Sequence, residues 1–230
     1  MNLFEKEAWI NQAAEELENG SASAILRIAV DKFPNLTLAC SFGAEDVVLV
    51  DLLHKINPEA DVFYLDTGLH FAETYETRDR LESRYQKKFI PVLPKLTLDE
   101  QSAKYGPELW LSDPNGCCKI RKVDPLTEIL SHYEAWITGI RREQAPTRAN
   151  SRKVEYDTKF GLVKFNPLAD WTINDVWLYI RQNDLVYNPL HDRNFPSIGC
   201  EKCTRPVLAG EDPRAGRWAG FEKTECGLHK

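Results

Sequence analysis

At 230 residues, 43% apolar and 28% charged, the chain has an ordinary globular make-up and enough length to bury a core without disulfides or metal. Its net charge of −6 excludes a general binder of nucleic acid or anionic membrane. No run approaches the roughly 20 apolar residues that a membrane helix needs. Met1 to Gly20 is acidic and amphipathic, without the basic start, apolar run or cleavage site of a secretory signal, so a cytoplasmic, reducing setting is expected. The charge is uneven: Lys119 to Lys164 carries ten Lys or Arg against six Asp or Glu. A basic zone on an acidic chain suits a small anionic ligand.

The first two-thirds alternate strand and helix signals. Leu36 to Cys40 predicts a buried strand, Glu45 to Ile56 a helix, Val62 to Leu65 a strand, Phe71 to about Gln86 a polar helix, and Phe89 to Leu93 a third strand. Thr97-Leu98-Asp99-Glu100 is a capping-box start. Ala135 to Ile140 and Leu162 to Phe165 predict later strands, and Thr172 caps a helix running to about Asn183. The pattern predicts an α/β fold with a parallel sheet and helices on both faces. From about Tyr187 the chain turns rich in proline and glycine. The expected division is a nucleotide-binding domain over residues 1–186 and an irregular, functional C-terminal arm over 187–230.

Cys40-Ser41-Phe42-Gly43-Ala44-Glu45-Asp46 joins the first strand to its helix. A small polar residue and a glycine ahead of a helix N-terminus leave N–H groups that can hold an anion, although for one glycine alone a plain tight turn is the better account. The loop has neither the G-x-x-x-x-G-K-[ST] nor the G-x-G-x-x-G pattern.

Six cysteines in a reducing setting need a reason other than disulfides. Cys117 and Cys118 are adjacent, and Cys200-Glu201-Lys202-Cys203 is a C-x-x-C, with 81 residues between the pairs. Four thiolates in two pairs suit tetrahedral zinc or a 4Fe–4S cluster, and spacing alone does not separate the two. Cys226, in Glu225-Cys226-Gly227-Leu228-His229, lies in a tail rather than a core segment and is a reactivity candidate, with His229 placed to steady a thiolate or developing anion. Cys40, at the end of a buried strand, reads as a small core residue, and His191 and the six tryptophans read as structural.

The stretch Ser41 to Asp46 resembles the variant phosphate loop of the adenine-nucleotide alpha-hydrolase fold. The ATP-cleaving members carry Ser-Gly-Gly-x-Asp-Ser, and Phe42 stands here at the first glycine, as in the branch that binds a sulfonucleotide. Leu65-Asp66-Thr67-Gly68, the G-x-R-R-x-Q segment Gly139 to Gln144, Trp171 to Asp192 and above all the Glu225 to His229 tail resemble the assimilatory sulfonucleotide reductases, in particular the iron–sulfur adenylyl-sulfate (APS) reductases. The resemblance implies reduction of APS to sulfite and AMP by thioredoxin, or a glutaredoxin-like donor, through an S-sulfocysteine on Cys226, in sulfate assimilation toward cysteine. Reduction of 3′-phosphoadenylyl sulfate (PAPS), or of both nucleotides, is the alternative. It implies one 4Fe–4S cluster per chain on Cys117, Cys118, Cys200 and Cys203, and a homo-oligomer. It also implies substrate contacts from Ser41, Phe42, Gly43, Asp66, Thr67, Lys119, Arg141, Arg142, Arg214, Arg217 and His229. A tRNA-thiolating enzyme of the same fold would need an intact ATP loop and a broad basic surface, which this chain lacks. A zinc-stapled binding module would not depend on Cys226.

Overall fold

The computed structural model describes residues 3–223 and 225–228, with side chains from residue 8 onward. His229 therefore lies outside the described residues. The elements run α1 (Leu3–Glu16), α2 (Ala22–Lys32), β1 (Leu36–Ala39), α3 (Ala44–Ile56), β2 (Asp61–Leu65), α4 (Ala72–Tyr85), β3 (Ile90–Val92), α5 (Leu98–Tyr105), α6 (Leu109–Ser112), α7 (Pro114–Cys118), a π-helical turn (Lys119–Val123), α8 (Asp124–Leu130), β4 (Ala135–Ile137), β5 (Val154–Asp157), β6 (Leu162–Phe165) and α9 (Ile173–Gln182). The six strands are ordered β3-β2-β1-β4-β6-β5. Pairs β1–β2, β1–β4 and β4–β6 are parallel, and β5 runs antiparallel to β6 at the edge.

The central strands are mostly apolar because both their faces are covered: every residue of β4 and β6 is buried, including Lys164, which pairs with Glu155 at 3.0 Å. The antiparallel β5 departs from the expected all-parallel sheet. Its Val154-Glu155-Tyr156-Asp157 carries one buried apolar residue, too weak a period to stand out. Asp157 accepts the Lys159 and Phe160 N–H groups, and Gly161 takes the left-handed conformation (φ 75°) that closes the hairpin. The strand expected over Ala135 to Ile140 stops at Ile137, and the following residues form a loop. No helix among the described residues is long and apolar enough to cross a membrane.

The chain forms two compact units, each made of two chain segments. One comprises residues 1–63 and 130–187, the other 64–129 and 188–230. One break between the units falls after residue 187, and the C-terminal segment that follows belongs to the second unit. It is bound into the second unit by backbone pairing: His70 bridges Cys200, and the Glu201 N–H donates to the Leu69 carbonyl at 2.8 Å. In the first unit α3 packs on α2 and α9, while α1 covers β5. Ile25, Leu26, Leu38, Val47, Leu49 and Phe165 are fully buried at the centre of that core.

Candidate nucleotide loop and cysteine centre

In the first unit, Ser41 to Gly43 lead into α3, whose first N–H groups have no intrahelical acceptor. Phe42 adopts φ 61°, the left-handed conformation a glycine would supply, with its ring buried. The loop is stapled to the helix by Asp46: the Ser41 N–H and hydroxyl both donate to its Oδ2 at 2.6 Å. Burial is the main force that pushes Asp46 up to about 6. The Ser41 bonds and the Arg148 charge pull it down, and the Glu45 charge pushes it up. Burial, reinforced by Asp46, also pushes the Cys40 thiol up, as fits a core cysteine.

The Gly139 to Gln144 segment docks on the start of α3. A Cβ on Gly139 would meet Asp46 Oδ1 at 2.3 Å, so only glycine permits this approach. Arg141 and Arg142, expected as substrate ligands, are both engaged by protein groups. Arg141 is buried; its Nε donates to Glu45 Oε1 at 2.8 Å, and its Nη1 donates to Glu143 and to the Trp171 carbonyl. Arg142 reaches Glu18 at 2.6 Å and the Ser151 carbonyl at 2.8 Å. The cation whose field reaches Asp46 is Arg148, held by Gln144 Oε1 at 2.6 Å, a residue the sequence reading did not single out.

In the second unit, Cys117, Cys118, Cys200 and Cys203 line one cavity, with Leu69, Pro114, Arg121, Lys122, Arg217 and Trp218. The adjacent pair sits at the end of α7, whose start is capped by Asp113 accepting from the Gly116 N–H at 2.9 Å. The π-helical turn follows at once, a device frequent at functional sites. Pro114, Cys117, Cys118, Arg121 and Lys122 stand at i, i+3, i+4, i+7 and i+8, so one helical face reaches the cavity. Cys200 and Cys203 flank a single 3₁₀ turn (Glu201–Cys203). Thr67 is fully buried; its Oγ1 lies 3.4 Å from Cys200 Sγ, and its carbonyl accepts from Arg121 Nε. Asp66 accepts the Tyr75 hydroxyl at 2.7 Å and the Gly68 N–H at 3.1 Å, which fixes the turn that carries Thr67.

Burial first, and the neighbouring thiols second, push Cys117 up to about 12 and Cys203 up to about 11. Four thiols gathered in this way resist ionising together unless a cationic group joins them, which is the chemistry of a metal-bound set. Among the described residues no three His, Cys, Asp or Glu side chains form a group that would hold a metal ion, although the four thiols line one cavity. Arg217 stacks on the Trp218 ring at 4.4 Å, and its buried Nε has no hydrogen-bond partner among the described residues. Gly199 makes room for that guanidinium, since a Cβ there would lie 2.5 Å from Arg217 Nη2. The four-thiol donor set and the cations that line the same cavity fit an anionic thiolate-bound cluster.

Lys119 does not face this cavity. It is exposed and pairs with Asp124 at 2.6 Å, whereas Lys122, one helical turn from Cys118, lines the cavity. Burial works against the Lys122 charge, but the Cys200, Cys226 and Cys118 thiols outweigh it and raise its pKa. Cys226 is half-buried, and the next residue, Gly227, approaches Val123 of the π turn. The tail is tied down: Arg214 pairs with buried Glu225 at 3.1 Å, and Lys223 Nζ donates to Asn115 Oδ1 at 2.7 Å and to the Pro114 carbonyl at 3.2 Å. Arg214, expected as a phosphosulfate ligand, thus holds the residue next to Cys226. Trp218 lines the cavity rather than serving a distant core, and Arg121 and Lys122 were likewise missed as site residues. The signal available for them was the helical spacing from the cysteine pair.

The sheet order and the helix N-terminus that follows β1 define an α/β fold of the adenine-nucleotide alpha-hydrolase type. The phosphoadenosine phosphosulfate reductase domain matches residues 35–206, and the chain belongs to that family. It is 50% identical over 223 residues to a Lysinibacillus sphaericus protein named adenosine 5′-phosphosulfate reductase, covering 96% of this chain and 95% of that one. It is 55% identical over 196 residues to adenosine 5′-phosphosulfate reductase 2 of Bacillus subtilis, covering 85% and 83%. Among solved structures, PAPS reductase from Candida auris in a phosphate complex superimposes with a TM-score of 0.75 at 31% identity, covering 84% and 94%. FMN adenylyltransferase from Candida glabrata, with a TM-score of 0.60 at 14% identity over 86% and 67%, shares the fold alone.

Proposed function

We propose that this protein reduces adenosine 5′-phosphosulfate to sulfite and AMP, with Cys226 as nucleophile and a thioredoxin-type dithiol as reductant, in the cytoplasm and in the service of sulfate assimilation. The observation that carries the reading is the gathering of four cysteines round one cavity, with Lys122 feeling both that set and Cys226. The names of relatives at about half identity over nearly the whole chain support the same reaction.

The first N–H groups of α3 offer donors to a phosphate, with Arg148 as the nearby cation. The Cys226 thiolate attacks the sulfate sulfur; the sulfur–oxygen bond to the nucleotide breaks and AMP leaves, so Cys226 carries an S-sulfonate. A thiolate of the donor then attacks Cys226 Sγ, sulfite departs with the bonding pair, and the donor's second thiol resolves the mixed disulfide. The two electrons come from the dithiol. Arg214 and Arg217 suit oxygens of the phosphosulfate through their forked donors, and Asp66 and Thr67 shape the turn beside them.

Cys117, Cys118, Cys200 and Cys203 would hold one 4Fe–4S cluster, which when bound supplies fixed charge and shape rather than electrons. Lys122 takes the electrostatic bridging role first expected of Lys119. The test is an anaerobic preparation assayed with APS and a dithiol donor, with sulfite, AMP, iron and sulfide measured. Cys226→Ser should keep about four irons and a brown colour while releasing no sulfite. Cys203→Ser should lose both. A colourless wild-type protein with one zinc would refute the cluster, and a sulfite-releasing Cys226→Ser would refute the nucleophile. Rates on PAPS in the same assay decide the nucleotide preference.

A further inference from the structure

A helix N-terminus attracts phosphate, yet α3 opens with two carboxylates, Glu45 and Asp46. Left uncompensated, both would repel an anion held by the loop immediately before them. Asp46 is met by the Ser41 N–H and hydroxyl. Glu45 is met from a different part of the chain. Its Oε1 accepts from Arg141 Nε at 2.8 Å and from Gln144 Nε2 at 3.0 Å. Gln144 also receives the Arg141 backbone N–H at 3.0 Å and donates to the Gly139 carbonyl at 3.3 Å. The Arg141 side chain is 6% exposed, and its remaining bonds go to Glu143 and the Trp171 carbonyl. Gly139 permits the close approach, because a Cβ there would lie 2.3 Å from Asp46 Oδ1 and 3.0 Å from Glu45 Cβ.

We propose that Arg141 is a positioning residue: it neutralises and braces Glu45 so that the start of α3 accepts a nucleotide phosphate, and it is not itself a ligand of phosphate or sulfate. The inference rests on the nucleotide reading above. It separates the two arginines of the segment from the anion and leaves that task to the first N–H groups of α3 and Arg148.

A ligand and a brace answer differently to removal of Glu45. A lost ligand stays lost, whereas a lost neutraliser is dispensable once the charge it neutralised has gone. The experiment measures AMP binding by calorimetry to the whole protein as wild type, Arg141→Gln, Glu45→Gln, the double variant and Arg141→Lys. Binding of APS is measured alongside in the Cys226→Ser background, and the melting of each variant is recorded.

We expect Arg141→Gln to weaken AMP about tenfold or more, and the double variant to return to within about threefold of Glu45→Gln. Arg141→Lys keeps the charge and should stay within about threefold of wild type. The losses on AMP and APS should match, because a brace does not sense the sulfate. A double variant as weak as Arg141→Gln, or a loss confined to APS, would overturn the inference and mark Arg141 as a ligand. A tenfold loss in Arg141→Lys would overturn it even if Arg141→Gln did not fold. A wild type that binds neither nucleotide would instead refute the nucleotide reading, and this inference with it.

Discussion

Replacing Ser41 by alanine removes one of two donors from Asp46 Oδ2, a carboxylate that is only 7% exposed. Asp46 titrates at about 6 in the folded protein against an ordinary 3.8, chiefly because it is buried. A raised folded value means that the folded state holds this proton more tightly than the unfolded chain does. The contribution of Asp46 to stability is therefore fullest below pH 3.8 and is lost as pH rises through 6, an effect of about 3 kcal/mol. Below pH 6 the Ser41 hydroxyl bonds a neutral acid, and its loss costs about 0.5–1.5 kcal/mol. Above pH 6 it bonds a buried charge, and its loss costs about 1.5–3 kcal/mol. Urea unfolding of wild type and Ser41→Ala at pH 5 and pH 8 should thus show a penalty larger by about 1 kcal/mol at pH 8. Asp46→Asn should flatten the loss of stability between pH 4 and pH 6.5. An equal penalty at the two pH values, or a larger one at pH 5, would refute the account of Asp46 as a buried charge held by its loop.

Gly216→Ala should cost about 2–4 kcal/mol in urea or thermal unfolding, because its Cβ would lie 2.2 Å from the Arg205 carbonyl oxygen; Gly210→Ala, with φ 84° but nothing within 4 Å, should cost only about 1 kcal/mol. Lys122→Ala should lower sulfite release about tenfold or more while Lys119→Ala lowers it far less, since only Lys122 lines the cysteine cavity; equal effects in the rate assay would contradict this placement. Phe42→Gly relieves a left-handed backbone, worth about 1–2 kcal/mol, but empties a buried ring site worth about 3–5 kcal/mol, so a net loss of stability is expected on thermal unfolding.

The sheet was legible because its inner strands are short, apolar and spaced by helices. The starts of α5 and α9 were legible because Thr97–Glu100 and Thr172–Asp175 carry both halves of a capping box within four residues. The helical run from Pro114 to Leu130 was not. It begins with proline, asparagine, glycine and two cysteines, which are poor helix formers, and a π turn breaks its period. Its site residues Arg121 and Lys122 were hidden with it. The roles of Arg141 and Arg142 were unreadable for another reason: the sequence shows a positive charge but not the distant carboxylates, Glu45 and Glu18, that claim it. The cysteine pairs stood out because thiols in a reducing setting have few other uses.

The interrupted course of the chain sets a timetable for its synthesis. A ribosome delivers residues 1–63, then a long excursion, and the first unit is complete only when residue 187 has emerged. The second unit waits longer still, because 81 residues separate Cys117 and Cys118 from the second cysteine pair. For that interval the nascent chain carries half of a thiol set with nothing to close it, and such a half-set is open to oxidation or to a stray metal. Any centre held by all four cysteines could close only after Cys203 has been translated. If that centre is the proposed iron–sulfur cluster, iron limitation should yield full-length chains lacking it rather than truncated ones.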